Sequence, residues 1–327
     1  APLALEEQTV DLSAGIGIAC WPADAEDADT LLSRSEIAMY AAKRKLSVAL
    51  LYDPALDSAS AQTLTLLGDL RRAVERDELR LYLQPKVALH GQPGLAAEAL
   101  VRWQHPQRGL VPPMEFIPFA EQTGFVRQLT LWIFEAVARL LADERVRPLG
   151  LRVSVNLSTR DLLDPELCTR LEALLARHGV QAGSFCLEIT ESAIMDDPQR
   201  AEAMLNRLSQ QGFKLSIDDF GTGYSSLAYL RRLPVQELKI DKSFVMGMQT
   251  GEGDAMIVRS TIDLAHNLGL SVVAEGVEDL ATANSLRELG CDELQGYHFS
   301  RPLPAAEWQA WALRHGAHLP QPSLASA

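Results

Sequence analysis

The sequence predicts an α/β fold, a (β/α)8 barrel preceded by a small α/β segment, and three observations carry that prediction. From residue 79 onward, short aliphatic runs alternate with amphipathic helical patterns, making eight strand–helix steps over roughly 250 residues, the size of such a barrel. A polar residue recurs at the C-terminal end of successive runs, where barrels of this kind build their active sites. An open doubly wound sheet is the competing architecture, and it calls for a glycine-rich loop after the first strand that this chain lacks.

Taken in order, residues 1–53 form the small segment: a strand over 14–21, a turn at 22–24, a helix over 27–45 and a strand over 48–52. Leu31, Leu32, Ile37, Ala38 and Ala41 supply the helix's apolar stripe, and Asp27 or Asp29 stands where a cap belongs. Two strands and one helix are too little for an independent core. Residues 54–62, rich in Ala and Ser, read as a linker, followed by a helix over 63–76. The barrel domain spans 63–318 and a tail follows at 319–327. Its strands are expected at 79–89, 94–103, 151–156, 185–190, 213–218, 235–240, 270–274 and near 293, each from a run of aliphatic residues bounded by turn formers. Helices are expected at 113–122, 127–142, 166–178, 198–211, 254–268, 280–289 and 305–314, from apolar residues three and four apart.

Composition narrows the function. With 327 residues, 47% hydrophobic and 22% charged, the chain is globular, and its net charge of −13 argues against a DNA or RNA polymer or an anionic membrane surface as partner. Any phosphate ligand then needs a local site with a metal or a few cations. Cys20, Cys168, Cys186 and Cys291 are widely spaced, without a C-x-x-C pair, as in proteins of a reducing, cytoplasmic compartment. No apolar run approaches the ~20 residues of a membrane span. A membrane anchor of a longer parent protein would lie outside this fragment, whose first residue is not Met.

The chemistry gathers at the strand ends. In 214–227, Leu215 and Ile217 alternate with Lys214, Ser216 and Asp218, and Asp219 follows directly. Gly221 and Gly223 allow a tight turn, and Ser225 or Ser226 can cap the next helix. Asn156, Glu188, Lys239 and Glu275 stand at equivalent points about one strand–helix unit apart, each out of phase with its aliphatic neighbours, so all should point into the barrel. Glu98 adds a carboxylate on the second strand, with Arg102 on the same face. One such residue alone is most simply a surface charge or a loop cap. Several carboxylates in one mouth demand a counter-ion, and oxygen-only ligands favour Mg²⁺ or Mn²⁺ over zinc.

Gln84-Pro85, Glu98-Ala-Leu-Val-Arg-Trp103, 113–120, Val155-Asn-Leu-Ser158, Glu188-Ile-Thr-Glu191, 218–227, Leu238-Lys-Ile-Asp241, Ala274-Glu-Gly-Val-Glu278 and Gln295-Gly-Tyr297 together resemble the EAL domain family of cyclic di-GMP phosphodiesterases, over about residues 63–315. Ser13-Ala-Gly-Ile-Gly-Ile-Ala19, Trp21-Pro22 and Glu36-Ile-Ala-Met-Tyr-Ala-Ala-Lys-Arg44 resemble the C-terminal part of a GGDEF domain, whose signature loop is missing, so this remnant is not expected to act as a cyclase. The resemblance implies a TIM-type barrel with an antiparallel first strand. It also implies two metals per site, Mg²⁺ or Mn²⁺, with Ca²⁺ inhibitory or poorly supportive. Glu98, Asn156, Glu188 and Asp218 would hold the first, Asp218 would bridge to the second, and Asp219 and Glu275 would complete the set. Lys239, Glu275 and Glu98 would carry the catalysis, with Lys239 touching the attacking water. Gln84, Arg102, Asp241, Glu278 and Gln295 would face or support the dinucleotide.

The expected function is metal-dependent hydrolysis of cyclic di-GMP to linear 5′-pGpG by in-line attack of water, as part of bacterial signalling. The alternative is a cyclic di-GMP receptor with little turnover. Glu191, three residues past Glu188, is expected to anchor the 219–225 loop through backbone N–H groups. Tyr224, Leu227, Tyr229 and Leu230 offer an apolar face that, with the resemblance, points to a homodimer.

Overall fold

The computed structural model describes residues 2–5, 8–11, 15–44, 49–54, 56, 69–89, 95–222, 227–249 and 251–315. It divides into two compact units, Ala1–Arg72 and Ala73–Ala327.

In the first unit, β1 (Pro2–Leu5) and β2 (Gln8–Asp11) pair antiparallel, a ribbon the sequence pattern did not announce. The helix Ala28–Arg44 connects β3 (Ile16–Ile18) to β4 (Ala49–Leu51), and these two strands pair in parallel. Asp27 caps the helix, its Oδ1 accepting the Thr30 N–H at 2.8 Å. Strand β3 is shorter than the 14–21 expected because Trp21–Ala23 turn away. The buried helix face centres on Ala38 and Ala42, while Leu32 is 62% exposed and does not join the stripe assigned to it. Six residues separate Leu32 from Ala38, which at 3.6 per turn puts it well round the helix. Gly17 lets strand and helix touch, since a Cβ there would lie 1.9 Å from the Ser35 carbonyl oxygen.

The second unit is a closed barrel. Its eight strands are β5 (Leu79–Ala88), β6 (Ala96–His105), β8 (Arg152–Leu157), β9 (Phe185–Thr190), β10 (Lys214–Phe220), β11 (Glu237–Ile240), β12 (Ser271–Ala274) and β13 (Glu293–Gln295). Neighbours pair in parallel except β5, which is antiparallel to both β6 and β13 and closes the ring. Two short strands extend the sheet, β7 (Gly109–Val111) beside β6 and β14 (Leu303–Pro304) beside β5.

Helices cover the outer face. Val126–Ala142 buries Leu129, Ile133, Phe134, Val137, Ala138 and Leu141 on one stripe, and Phe134 stacks on Phe185 of β9 with centroids 5.3 Å apart. Phe213 meets both rings edge-on, so one aromatic cluster ties helix to sheet. The helices Leu167–His178, Pro198–Gln210, Glu252–Asn267, Leu280–Glu288 and Ala305–His315 complete the shell. Two of these begin at an Asp that caps them, Asp197 and Asp279. The core thus lies between sheet and helices, leaving much of the barrel interior to polar side chains.

Candidate active site

Period-two alternation turns Glu98 of β6, Asn156 of β8, Glu188 of β9, Asp218 of β10, Lys239 of β11 and Gln295 of β13 toward the barrel axis. Glu275 follows β12 directly, and Gln84 of β5 lies in register with Glu98. Lys239 is the hub. Its Nζ stands 2.6 Å from Glu275 Oε1, 2.8 Å from Glu188 Oε2, 3.1 Å from Asp218 Oδ2 and 4.0 Å from Glu98 Oε2. Amides hold Glu98 from either side: Asn156 Nδ2 donates to Oε1 at 2.8 Å, and Gln295 Nε2 donates to Oε2 at 2.6 Å and to Gln84 Oε1 at 3.3 Å.

Strand β10 runs past Asp218 to Phe220 and carries a bulge: the two residues between Ile217 and Phe220 face one on β11, Lys239. Within it Asp219 takes φ 53°, a left-handed conformation that Asp tolerates better than most residues. The extra residue brings two consecutive carboxylates to one mouth. Asp218, Asp219 and Glu275 can each offer an oxygen within 4.8 Å of the others.

The charges are unbalanced. Glu98, Glu188, Asp218 and Glu275 converge on the Lys239 ammonium with Asp219 beside them, and of these Glu188 also meets Lys86. Burial disfavours the Lys239 charge, but Asp218, Glu188, Glu98 and Glu275 hold it protonated well above the ordinary lysine range. Burial opposes the Glu188 charge too, yet Lys239 and Lys86 outweigh it and bring the carboxyl down to about 2. Glu275 is pushed up to about 8, first by burial and then by Asp218 and Glu98 against the pull of Lys239. Asp219 rises to about 6 through burial, Asp218 and Asp241. Excess buried negative charge with oxygen-only donors is the condition a hard divalent cation satisfies, so the residues fit Mg²⁺ or Mn²⁺.

A cavity of about 570 Å³ opens above this cluster, lined by Gln84, Glu98, Asp218, Glu275, Glu278 and Gln295 together with Tyr297 and Met246. Arg102 lines a neighbouring cavity with Asn156, its guanidinium 5.5 Å from the Tyr82 ring centroid. Asp241 lies against Asp219 and caps the helix Lys242–Gly247 through the Ser243 N–H. Glu191 is buried, and its Oε2 accepts the Gly221 N–H at 3.2 Å. Thr190, not Glu191, caps the following helix, accepting the Ala193 N–H at 3.2 Å. Tyr224, Ser225 and Ser226 lie outside the described residues. Leu230 is buried and the Tyr229 hydroxyl donates to the Pro198 carbonyl, so Leu230 belongs to its own barrel and leaves the expected docking face.

Sequence reasoning missed a second charged group below the mouth, formed by Lys86, Arg152, Glu237 and Glu293. A signal was present: Lys86, Glu237 and Glu293 lie two residues from Gln84, Lys239 and Gln295, hence on the same inward face.

Closed strands, an outer helical shell and an acidic mouth centred on a lysine define the class, a (β/α)8 barrel of TIM type. The sequence model described as the EAL domain matches residues 67–302, and the chain belongs to that family. It is 39% identical over 316 residues to the bifunctional diguanylate cyclase/cyclic di-GMP phosphodiesterase MucR of Pseudomonas aeruginosa, covering 94% of this chain and 45% of that protein. It is 35% identical over 304 residues to the cyclic di-GMP phosphodiesterase PdeR of Escherichia coli, covering 93% of this chain and 46% of that one. The chain therefore spans less than half the length of these relatives. The solved structure described as the PaMucR phosphodiesterase, c-di-GMP complex, superposes with a TM-score of 0.70 at 42% identity, covering 75% of this chain and 99% of that one.

Proposed function

We propose that the barrel hydrolyses one of the two phosphodiester bonds of cyclic di-GMP, giving linear 5′-pGpG. The observation that carries this reading is the convergence of four carboxylates on Lys239, with Asp219 beside two of them, beneath the 570 Å³ cavity. The names of the relatives and of the superposed complex support the substrate. Glu98, Asn156, Glu188 and Asp218 would hold one Mg²⁺ or Mn²⁺, and Asp218, Asp219 and Glu275 a second. When bound, such a pair makes water acidic enough to attack at neutral pH and offsets charge on the phosphate and leaving oxygen.

The chain's own residues do the rest. Lys239, at the centre of these carboxylates, is placed to donate to the attacking water. Glu275, 2.6 Å from Lys239 in the same mouth, is the group placed to receive the water's proton. Water adds to phosphorus as the bond to the leaving 3′ oxygen breaks, and that oxygen takes up a proton. Gln84 and Arg102 contact the dinucleotide, while Asp241, Glu278 and Gln295 line or brace its site.

Incubation of the purified chain with cyclic di-GMP and Mg²⁺ or Mn²⁺, with and without EDTA, tests the reading. The expected result is pGpG that chelation suppresses; turnover surviving exhaustive chelation would overturn it, and binding without product would favour a receptor. Ca²⁺ should support the reaction poorly, because its longer, looser bonds spread the ligand set. Residues 1–53 we read as the C-terminal remnant of a GGDEF-like domain, a reading supported by similarity to MucR that extends over 94% of the chain. Cytoplasmic placement is supported by four cysteines that are all unpaired. Among the described residues no helix is long and apolar enough to cross a membrane.

A further inference from the structure

One alternation step below the mouth lies a second polar ring. Ser154, Cys186, Ser216, Glu237 and Glu293 each precede by two residues a mouth residue on the same strand, and so share its inward face. Lys86 reaches into this ring from β5. Because β5 runs antiparallel, Lys86, two residues after Gln84, lies deeper than it. Its Nζ stands 2.7 Å from Glu188 Oε1, 2.8 Å from Ser154 Oγ and 3.1 Å from Glu237 Oε1, with the side chain fully buried. Arg152 pairs with Glu293 at 2.6 Å and Glu237 at 3.4 Å.

Branched apolar residues ordinarily fill a barrel at this level, and a buried ion pair is commonly no more stabilising than such a filling. The charges therefore call for a role other than stability. Glu188 joins the two rings: Oε1 is held by Lys86 from below, and Oε2 faces Lys239 and the mouth. We propose that Lys86 is a positioning residue, which fixes the Glu188 carboxylate by one oxygen so that the other is presented to the cation site in a single orientation. This rests on the metal-dependent reading above. The competing account makes Lys86 merely the counter-ion of Glu237.

Two variants separate these accounts, Lys86→Met and the double variant Lys86→Met/Glu237→Leu. The double variant removes both charges, leaves the Arg152–Glu293 pair in place and avoids stranding Glu237, while Glu188 keeps Lys239 at its other oxygen, so it tests the role even if the single variant fails to fold. Mn²⁺ binding is measured directly by titration of the metal-free proteins, alongside Mn²⁺ activation of cyclic di-GMP hydrolysis and KM at saturating metal. The expected result is wild-type Mn²⁺ binding that weakens about 10–100-fold in the folded double variant, with KM for cyclic di-GMP unchanged. Wild-type Mn²⁺ affinity in the double variant would overturn the proposal. Absence of Mn²⁺ binding in the unsubstituted protein would instead overturn the metal reading, and this inference with it.

Discussion

Asp218 touches Lys239 and shares the 4.8 Å cluster with Asp219 and Glu275, so a single substitution there disturbs every charge in the mouth. Asp218→Ala is expected to lower turnover at least ~10²-fold, the scale of losing a group that holds or orients a metal, and a near-normal rate would sink the two-metal assignment. Lys239→Met should lose turnover while still binding Mn²⁺ in a direct titration. Protonation offers a check that needs no substrate. Folded Glu275 and Asp219 have raised affinities, to about 8 and about 6, so each favours the fold most below its unfolded pKa, and that contribution is lost as pH rises through the folded value. The thermal midpoint of the chelated protein should accordingly fall between about pH 5 and 8, and Mg²⁺ should flatten the slope. The strand-end carboxylates were legible because alternation alone turns them inward. Asp219's arrival in the same mouth had no such local signature, since it depends on a bulge registered against β11, and only the family resemblance pointed to it. Lys86 and Glu237 were passed over because a charged residue near either end of a strand ordinarily faces solvent.

At the level of elements, strand and helix positions followed the periodicity closely: β9 occupies the expected 185–190, and the helix Val126–Ala142 begins one residue early. The reversal of β5 has no local signature, because alternation is the same read in either direction; only the family resemblance pointed to it. The joint between β9 and β10 carries a prediction of its own. Glu191 braces the turn after Asp219 through the Gly221 N–H, and Glu191→Ala should impair hydrolysis with the fold and first-metal binding intact. A lowered thermal midpoint with an unchanged rate would reduce Glu191 to a stabilising contact. By contrast, Phe134→Ala should cost about 3–5 kcal/mol of stability by opening a cavity among Phe134, Phe185 and Phe213, measurable by denaturant unfolding.

Across the whole molecule, the described barrel strands form a sheet separate from those of the first unit. A fragment of residues 63–327 should therefore fold and hydrolyse cyclic di-GMP, and loss of activity on removing the first 62 residues would show that the barrel depends on them. Sedimentation at micromolar concentration decides whether a homodimer forms, now that Leu230 is committed to the interior. The antiparallel β5 also has a consequence in time. It pairs with its sequence neighbour β6, a pairing of short chain separation, whereas Gln84 meets Gln295 across 211 residues. Short-range pairings form quickly and long-range ones wait on chain closure, so a β5–β6 ribbon should exist well before the ring does. Lys86 rides on that ribbon without its carboxylate partners until Glu188, 102 residues away, and Glu237, 151 residues away, arrive. The ammonium is then desolvated and neutralised in the same event, so assembly of β9 and β11 against this ribbon is expected to be slow in refolding, and Lys86→Met should change its rate.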